Sequence, residues 1–324
     1  MPLIEPSSYR PPLPFRNTHI NTIYTAMFRR VTDPRYERER IDTPDDDFLD
    51  LDWSRVGSDS LVVVLHGLEG SADRPYVRGM IRAFNRAGWD GLGFNFRGCS
   101  GELNRQCRSY HMLATEDVDF AIRHAIERGA YRRVALIGFS LGGNVALNYL
   151  SDGRLRPAPE IGAAVCYSVP CHIPSANECI NHWQNTAYRH RFMVSLMQKM
   201  QAMAEQHPHL REGLHATTRP RRFDEFDGAF TAPIHGFKDA DHYWSTASSL
   251  QHLPGLSIPT LLVQAADDTF LSAACYPTAI ARTHRDLFLE VPRYGGHCGF
   301  YGGGEVLWSE RRALEFLEGV LELI

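Results

Sequence analysis

Residues 133–147, RVALIGFSLGGNVAL, constrain the fold of this chain more than any other stretch. Five mostly apolar residues run into Gly-Phe-Ser-Leu-Gly-Gly, and a run typical of a helix follows. Ser140 therefore stands where a strand turns sharply into a helix, with Gly138 and Gly142 on either side to relieve the crowding. The strain lifts the hydroxyl clear of the sheet, so G-x-S-x-G in this context predicts a nucleophile. The flanking strand and helix argue against a chance match in a loop.

Strands and helices alternate along most of the chain. The β-branched run in SLVVVLHGLEG predicts a strand covered on both faces, and further strands are predicted in WDGLGFNFRG, RRVALIGFS, IGAAVCYSVP, IPTLLVQAADD and LFLEVPRYGGH. Helical spacing is found in YVRGMIRAFNRAG, ATEDVDFAIRHAIERGA, LGGNVALNYLSDG and GEVLWSERRALEFLEGVLELI. This alternation predicts an α/β fold, with a mostly parallel central sheet flanked by helices.

The alternation breaks between about residue 170 and residue 250, where the sequence indicates helices and loops without a strong strand. We therefore predict a helical lid at residues 171–250, inserted into a core of residues 41–170 and 251–324. Residues 1–40 are rich in proline, then mixed, and end in the charged RYERER. We predict that they form an N-terminal arm laid on the core.

A serine hydroxyl needs a base to act as a nucleophile at neutral pH, usually an imidazole held by a carboxylate. In folds with this serine turn, the order along the chain is serine, acid, histidine. QAADD supplies Asp267 and Asp268 after a late strand, and YGGHCGF supplies His297 after the last strand. Only one aspartate should face the imidazole. We assign Asp268, three positions after Ala265, and keep Asp267 as the alternative.

The attack of a serine on a carbonyl produces an oxyanion, which needs two preorganised N–H donors. One is predicted to be the backbone N–H of Leu141, directly after Ser140. The other should come from the turn in HGLEGS, where the backbone N–H of Leu68 is the candidate. The glycines at 67 and 70 let this turn approach a substrate closely.

The motifs HGLEGS, NFRGCSGE, GFSLGGN, AADDTF and GGHCGF, in this order, resemble the α/β-hydrolase superfamily. More narrowly they resemble its YheT-like branch, which is related to the eukaryotic ABHD one-to-three lipid hydrolases. NTHINTIY and FDEFDGAFTAPIHGFKDADHYW are similar to the same branch, so the resemblance covers nearly the whole chain. It implies an α/β-hydrolase fold, a Ser140–Asp268–His297 charge-relay set and carboxylic ester hydrolase activity.

The expected function is therefore that of a serine hydrolase cleaving short- to medium-chain acyl esters or lipid esters through an acyl-enzyme. Its partner would be a small-molecule ester or lipid, and neither an organic cofactor nor a metal is required. Two alternatives stay open. One is an acyltransferase using the same three residues, and the other is a non-catalytic binding protein on this fold.

Two features each allow two interpretations. The segment YRHRFMVSLMQKMQAMA places Met193, Met197 and Met200 on one stripe of a helix. This stripe either packs on the core or lines an adaptable acyl-chain site, and we assign the three methionines to substrate binding. Arg97 in NFRGCSGE either binds an anionic headgroup or pairs with acidic neighbours to brace its loop, and we favour the brace.

Composition excludes several other classes of function. The net charge of −4 and the scattered basic residues argue against nucleic-acid binding. An odd number of cysteines, seven, without a CxxC spacing is typical of reduced thiols in a cytoplasmic protein. No run of about 18 apolar residues appears, so we expect no membrane-spanning segment. The 15 histidines are dispersed and form no ligand motif, so we expect no metal site. Nothing in the composition fixes the oligomeric state.

Overall fold

The computed structural model describes residues 3–211 and 221–321. The strands in these residues are β1 (Leu3–Ile4), β2 (Glu37–Thr43), β3 (Asp47–Ser54), β4 (Ser60–Leu65), β5 (Asp90–Phe94), β6 (Arg133–Phe139), β7 (Ile161–Tyr167), β8 (Thr260–Val263) and β9 (Leu287–Glu290). They form one sheet in the order β1-β9-β8-β7-β6-β4-β5-β3-β2. Of its neighbouring pairs, only β2 with β3 and β3 with β5 are antiparallel. The prediction of a mostly parallel central sheet is confirmed.

The helices of the described residues are α1 (Thr18–Ile23), α2 (Pro75–Arg86), α3 (Thr115–Gly129), α4 (Leu141–Ser151), α5 (Ile173–Asn181), α6 (Thr186–Gln206), α7 (Phe223–Phe226), α8 (Ala232–Ile234), α9 (Ala240–Ala247), α10 (Thr278–Ala281) and α11 (Trp308–Leu321). Wider π turns follow at Tyr24–Phe28 and Asp227–Thr231. Short 3-10 turns lie at Leu13–Arg16, Trp183–Asn185, Pro208–Leu210, Ser249–Gln251, Leu253–Gly255 and Ala273–Cys275. None of the helices in the described ranges is both long and apolar enough to cross a membrane.

Strand β4 shows why the sheet needs helices on both faces. Its six residues are all buried, and successive side chains of a strand point to opposite faces. Leu61, Val63 and Leu65 belong to an apolar cluster with helices α3 and α4. Val62 and Val64 belong to a second cluster with helices α2 and α11. The continuous apolar run is thus explained by two cores, one on each side of the sheet.

The chain between β7 and β8, residues 168–259, is here called the inserted segment. Its described part contains helices α5 to α9 and no strand, and residues 212–220 lie outside the described residues. It has an apolar cluster of its own, which includes Met193, Leu196, Phe226 and Phe230. Because β7 is parallel to β6 and β8, the segment leaves the sheet at the edge where the carboxyl ends of these strands meet. The predicted lid boundaries at 171 and 250 fall within it and stay a prediction.

Strand β2 begins at Glu37, inside the stretch that we assigned to the N-terminal arm. Its charged residues did not suggest a strand. In the sheet they lie opposite acidic residues of β3, with Arg38 paired with Asp52 and Arg40 with Asp50, each at 2.8 Å. Opposite charges directly across a strand pair stabilise the pairing, so an edge strand can be rich in charge.

Arg97 braces its loop, as the favoured interpretation states. Its side chain is 2% exposed and forms ion pairs with Asp47 and Asp117 at 2.8 Å and with Asp45 at 3.0 Å. A buried guanidinium enclosed by three carboxylates has its donors occupied. Arg97 therefore ties the loop after β5 to the start of β3 and to helix α3.

Candidate active site

Ser140 stands alone between strand β6 and helix α4 with φ 52° and ψ −116°, a conformation that a residue with a side chain rarely adopts. The neighbouring glycines are required by close backbone contacts. A Cβ atom on Gly142 would lie 2.5 Å from the main-chain oxygen of His66, and one on Gly138 would lie 2.5 Å from the Cα of Gly143. The tight turn predicted from G-x-S-x-G is therefore present, for the steric reason given.

Three side chains from distant parts of the chain meet at this turn. The Oγ atom of Ser140 lies 2.9 Å from Nε2 of His297. The Nδ1 atom of the same imidazole lies 2.9 Å from Oδ2 of Asp268. Asp268 is held in turn by the backbone N–H of Phe270, which donates to its Oδ1 atom at 2.9 Å. The structure thus forms an unbroken line of hydrogen bonds from hydroxyl to imidazole to carboxylate.

Asp267 points elsewhere. Its Oδ1 atom accepts a hydrogen bond of 2.9 Å from the backbone N–H of Gly296. Its Oδ2 atom is buried and has no hydrogen-bond partner among the described residues. Burial, aided by the neighbouring charge of Asp268, raises the pKa of Asp267 to about 6. The structure therefore places Asp268 against the imidazole and Asp267 against the backbone of the histidine loop.

His297 is enclosed on several sides. Its ring stacks on Phe270 with centroids 4.3 Å apart, and its backbone N–H donates to Oγ1 of Thr22 at 2.9 Å. Burial alone lowers the pKa of an imidazole, but the carboxylate of Asp268 outweighs burial and raises the pKa of His297 above its ordinary value. The ring can therefore take a proton from Ser140 readily and hold it as an imidazolium next to Asp268.

The turn Gly67–Gly70 lies directly against Ser140. It is closed by a hydrogen bond from the N–H of Gly70 to the carbonyl of Gly67. A Cβ atom on Gly67 would lie 3.3 Å from the Cβ of Ser140. Within the described residues, the backbone N–H groups of Leu68 and Leu141 have no hydrogen-bond partner. Both are thus free donors next to the hydroxyl, and that of Leu141 begins helix α4, whose dipole favours negative charge.

A cavity of about 410 Å³ opens beside Ser140, within the size range of small-molecule sites. Its wall is mainly apolar and combines the arm, the core and the inserted segment, with residues such as Ile23, Leu68, Tyr188, Phe192 and Phe270. Across residues 3–211 and 221–321, no three His, Cys, Asp or Glu side chains are grouped so that they could hold a metal ion.

The structure does not bring Met193, Met197 and Met200 to this cavity. Met193 and Met200 are buried in the apolar cluster of the inserted segment, and Met197 packs against that cluster. The cavity is lined instead by Tyr188, Phe192 and neighbouring residues on another face of α6. A helical stripe in the sequence shows which residues share a face, but it does not show whether that face meets the core or a cavity.

Several cavity residues were missed by the sequence analysis. Thr22 and Met27 reach the site from the N-terminal arm, and Glu69, Arg74 and Tyr76 come from the chain around the Gly67–Gly70 turn. The resemblance of NTHINTIY to the YheT-like branch was the one sequence signal that the N-terminal arm contributes to the site. Glu69 lies within the HGLEGS motif, which indicated the oxyanion turn but gave no role to this side chain. For Arg74 and Tyr76 there was no signal, because contacts between separate segments leave no periodic pattern.

The chain is similar to a known protein family and to individual known proteins. A family model described as alpha/beta hydrolase fold matches residues 60–303. YheT of Escherichia coli (strain K12) is 33% identical over 95% of this chain and 92% of its own. Phospholipase ABHD3 of Bos taurus is 27% identical over 89% and 72% of the two chains. Among solved structures, the esterase Pf2001 of Pyrococcus furiosus superposes with a TM-score of 0.57 at 20% identity, covering 88% of this chain and 92% of its own.

Proposed function

This chain belongs to the alpha/beta hydrolase fold family as an esterase- or lipase-like member, and we propose that it cleaves carboxylic esters through an acyl-enzyme formed on Ser140. One observation carries the proposal. The hydroxyl of Ser140, the ring of His297 and the carboxylate of Asp268 are joined by two hydrogen bonds of 2.9 Å each. This is the arrangement that a serine nucleophile needs, with a base oriented by an acid.

In the acylation half of the reaction, Oγ of Ser140 forms a bond to the carbonyl carbon of the ester. Its proton passes to Nε2 of His297, and the carbonyl π electrons move to oxygen. The N–H groups of Leu68 and Leu141 donate hydrogen bonds to this oxyanion. When the C=O bond forms again, the bond to the alkoxide breaks, and the alkoxide takes the proton from His297 and leaves as an alcohol.

In the deacylation half, water takes the place of the alcohol. The water gives a proton to His297, and its oxygen forms a bond to the carbonyl carbon of the acyl group on Oγ of Ser140. Collapse of this second oxyanion breaks the bond to Oγ, which recovers the proton from His297, and the carboxylic acid leaves. Asp268 holds the imidazole in the tautomer with a proton on Nδ1 and stabilises the imidazolium in both halves.

The apolar lining of the cavity favours the acyl chain as the part of the substrate that binds there. The cavity lining is mostly apolar, and a buried hydrocarbon contributes about 0.8 kcal/mol for each CH₂ group. A relative named as a phospholipase acts on a lipid ester. We propose short- to medium-chain acyl esters or lipid esters as substrates. The inserted segment would be the lid over the acyl chain, since Tyr188 and Phe192 of α6 line the cavity.

A panel of p-nitrophenyl esters with acyl chains of two to sixteen carbons tests this proposal. We expect hydrolysis with an optimum in chain length, because a cavity of limited size rewards each added CH₂ only until it is full. Release of free acid in the absence of any other acceptor separates a hydrolase from an acyltransferase. No hydrolysis at any chain length by folded protein would contradict the proposal.

The pH dependence of kcat/KM should show the raised pKa of His297. Only the neutral imidazole can accept the proton of Ser140, so activity falls as the pH drops through this pKa. Because Asp268 raises the pKa, we expect the midpoint above 6.5, the ordinary value for histidine. Initial rates of hydrolysis of a neutral ester between about pH 5 and pH 11 measure the midpoint, with the Ser140→Ala variant as the blank for alkaline hydrolysis. A midpoint at or below 6.5 would show that the raising effect of Asp268 does not outweigh the burial of the ring.

A further inference from the structure

The turn that contains Leu68 includes a residue in an unfavourable conformation. Glu69 has φ 53°, in the left-handed region that glycine adopts easily and other residues do not. The turn itself supplies one hydrogen bond, between the N–H of Gly70 and the carbonyl of Gly67. Because the orientation of the Leu68 amide depends on this turn, other contacts have to keep Glu69 in place.

Glu69 is held at both its backbone and its side chain. Arg74 donates to the carbonyl oxygen of Glu69 at 2.7 Å, and the backbone N–H of Glu69 donates to the hydroxyl of Tyr110 at 2.8 Å. Its carboxylate accepts hydrogen bonds from Nζ of Lys199 at 2.7 Å, from Tyr110 at 2.8 Å and from Oγ of Ser195. Two of these partners, Ser195 and Lys199, lie one turn apart on helix α6 of the inserted segment.

Glu69 and Lys199 form an ion pair that is largely shielded from solvent. Their side chains are 8% and 13% exposed, respectively. Burial raises the pKa of Glu69, but Lys199, together with the hydrogen bonds from Ser195 and Tyr110, outweighs burial and lowers the pKa below its ordinary value. Burial likewise lowers the pKa of Lys199, and nearby groups including Glu69 raise it above the ordinary value. Lys199 also donates to Sγ of Cys99 at 3.4 Å, but burial raises the pKa of that thiol to about 11, so the thiol is neutral. Glu69 is thus the charged partner of Lys199.

We propose that Glu69 and Lys199 are positioning residues for the oxyanion hole. Through the ion pair, helix α6 holds the turn in the conformation that directs the N–H of Leu68 at the reacting carbonyl. Hydrolysis then requires that the inserted segment is seated on the core. This inference rests on the proposed function of the same site and adds a second role for the inserted segment, which otherwise only covers the acyl chain.

The Lys199→Met variant tests the proposal, because methionine keeps most of the length and removes the charge. We expect kcat for the preferred p-nitrophenyl ester to fall about 10- to 100-fold, since a misplaced oxyanion donor loses much of its effect. KM should change little, because the contact is made in the transition state. A trifluoromethyl ketone with the same acyl chain forms an oxyanion adduct with Ser140, and its inhibition constant should rise by a similar factor.

The chain offers a matched control. Of its 34 lysines and arginines, only Lys199 and Lys238 are lysines, and Lys238 is an exposed residue of the inserted segment. Lys238→Met should leave kcat and the inhibition constant unchanged. If Lys199→Met does not fold, Glu69→Gln and Ser195→Ala are judged by the same two measurements.

The proposal is overturned if Lys199→Met melts at a lower temperature but, while folded, retains the kcat and the inhibition constant of the unmodified protein. The ion pair would then serve stability alone. Failure of the proposed function would give a different result, because the unmodified protein would then hydrolyse no ester and would not be labelled covalently by a fluorophosphonate. The two failures can therefore be told apart in one set of measurements.

Discussion

Replacing Ser140 with alanine is expected to lower kcat for ester hydrolysis by about 10⁴- to 10⁶-fold and to abolish covalent labelling by a fluorophosphonate. The substitution removes Oγ, which is the atom within 2.9 Å of the base. Without it no acyl-enzyme can form, and the free N–H groups of Leu68 and Leu141 can only polarise a bound ester. Initial rates with the preferred p-nitrophenyl ester and gel detection of the labelled protein measure both effects.

The fold should survive this change. Alanine keeps the Cβ of Ser140, so packing against Gly67 is retained, and it bears the same positive φ as the serine. Ser151 at the end of helix α4 provides the control, because among the described residues its hydroxyl forms one hydrogen bond, to the carbonyl of Leu147, and Ser151→Ala removes it. Its activity should match that of the unmodified protein. Appreciable hydrolysis by Ser140→Ala would point to another nucleophile and would rule out the proposed acyl-enzyme.

The arrangement of the core could be predicted from the sequence because the hydrophobic pattern of each segment there matches the burial of that segment in the fold. The apolar run of β4 has two buried faces, as is typical of a central strand in a parallel sheet that is covered by helices on both sides. Gly138 is explained by a contact with Gly143 inside one strand–turn–helix unit, and Gly142 by the close approach of His66 from the end of β4, so the G-x-S-x-G spacing indicates the turn although only part of its cause is local. Asp268 and His297 were found because they follow late strands, and parallel strands end at the same edge of the sheet.

Other features depend on partners far away in the sequence. The charged start of β2 is accommodated because Asp50 and Asp52 lie across from Arg40 and Arg38 on the neighbouring strand. The same limit applies to Glu69, whose charge partner Lys199 lies 130 residues later. A sequence gives the type and spacing of such residues, but the energy of the pair depends on burial and on the distance between the two charges.

The second large effect is expected for Asp268→Asn, which should lower kcat by about 10⁴-fold. An asparagine has the shape of the aspartate, but its amide group carries no charge and can place an NH₂ group where Oδ2 now accepts from Nδ1 of His297. The imidazole would then keep its proton on Nε2 and could not act as a base towards Ser140. Steady-state kinetics with the same ester measure the loss, and circular dichroism confirms that the variant is folded.

Asp267→Asn is the matched control, since it makes the same chemical change one residue earlier. Among the described contacts Asp267 accepts no hydrogen bond from His297, and its Oδ1 atom instead accepts one from the N–H of Gly296. The amide oxygen of asparagine can still accept that bond. Burial raises the pKa of Asp267 to about 6, so the surroundings of this carboxyl group stabilise its charged form poorly. Its kcat should therefore stay far closer to that of the unmodified protein than the kcat of Asp268→Asn does. If Asp267→Asn showed the larger loss instead, Asp267 would be the acid that orients His297, and the hydrogen bond from His297 to Asp268 would not be the one used in catalysis.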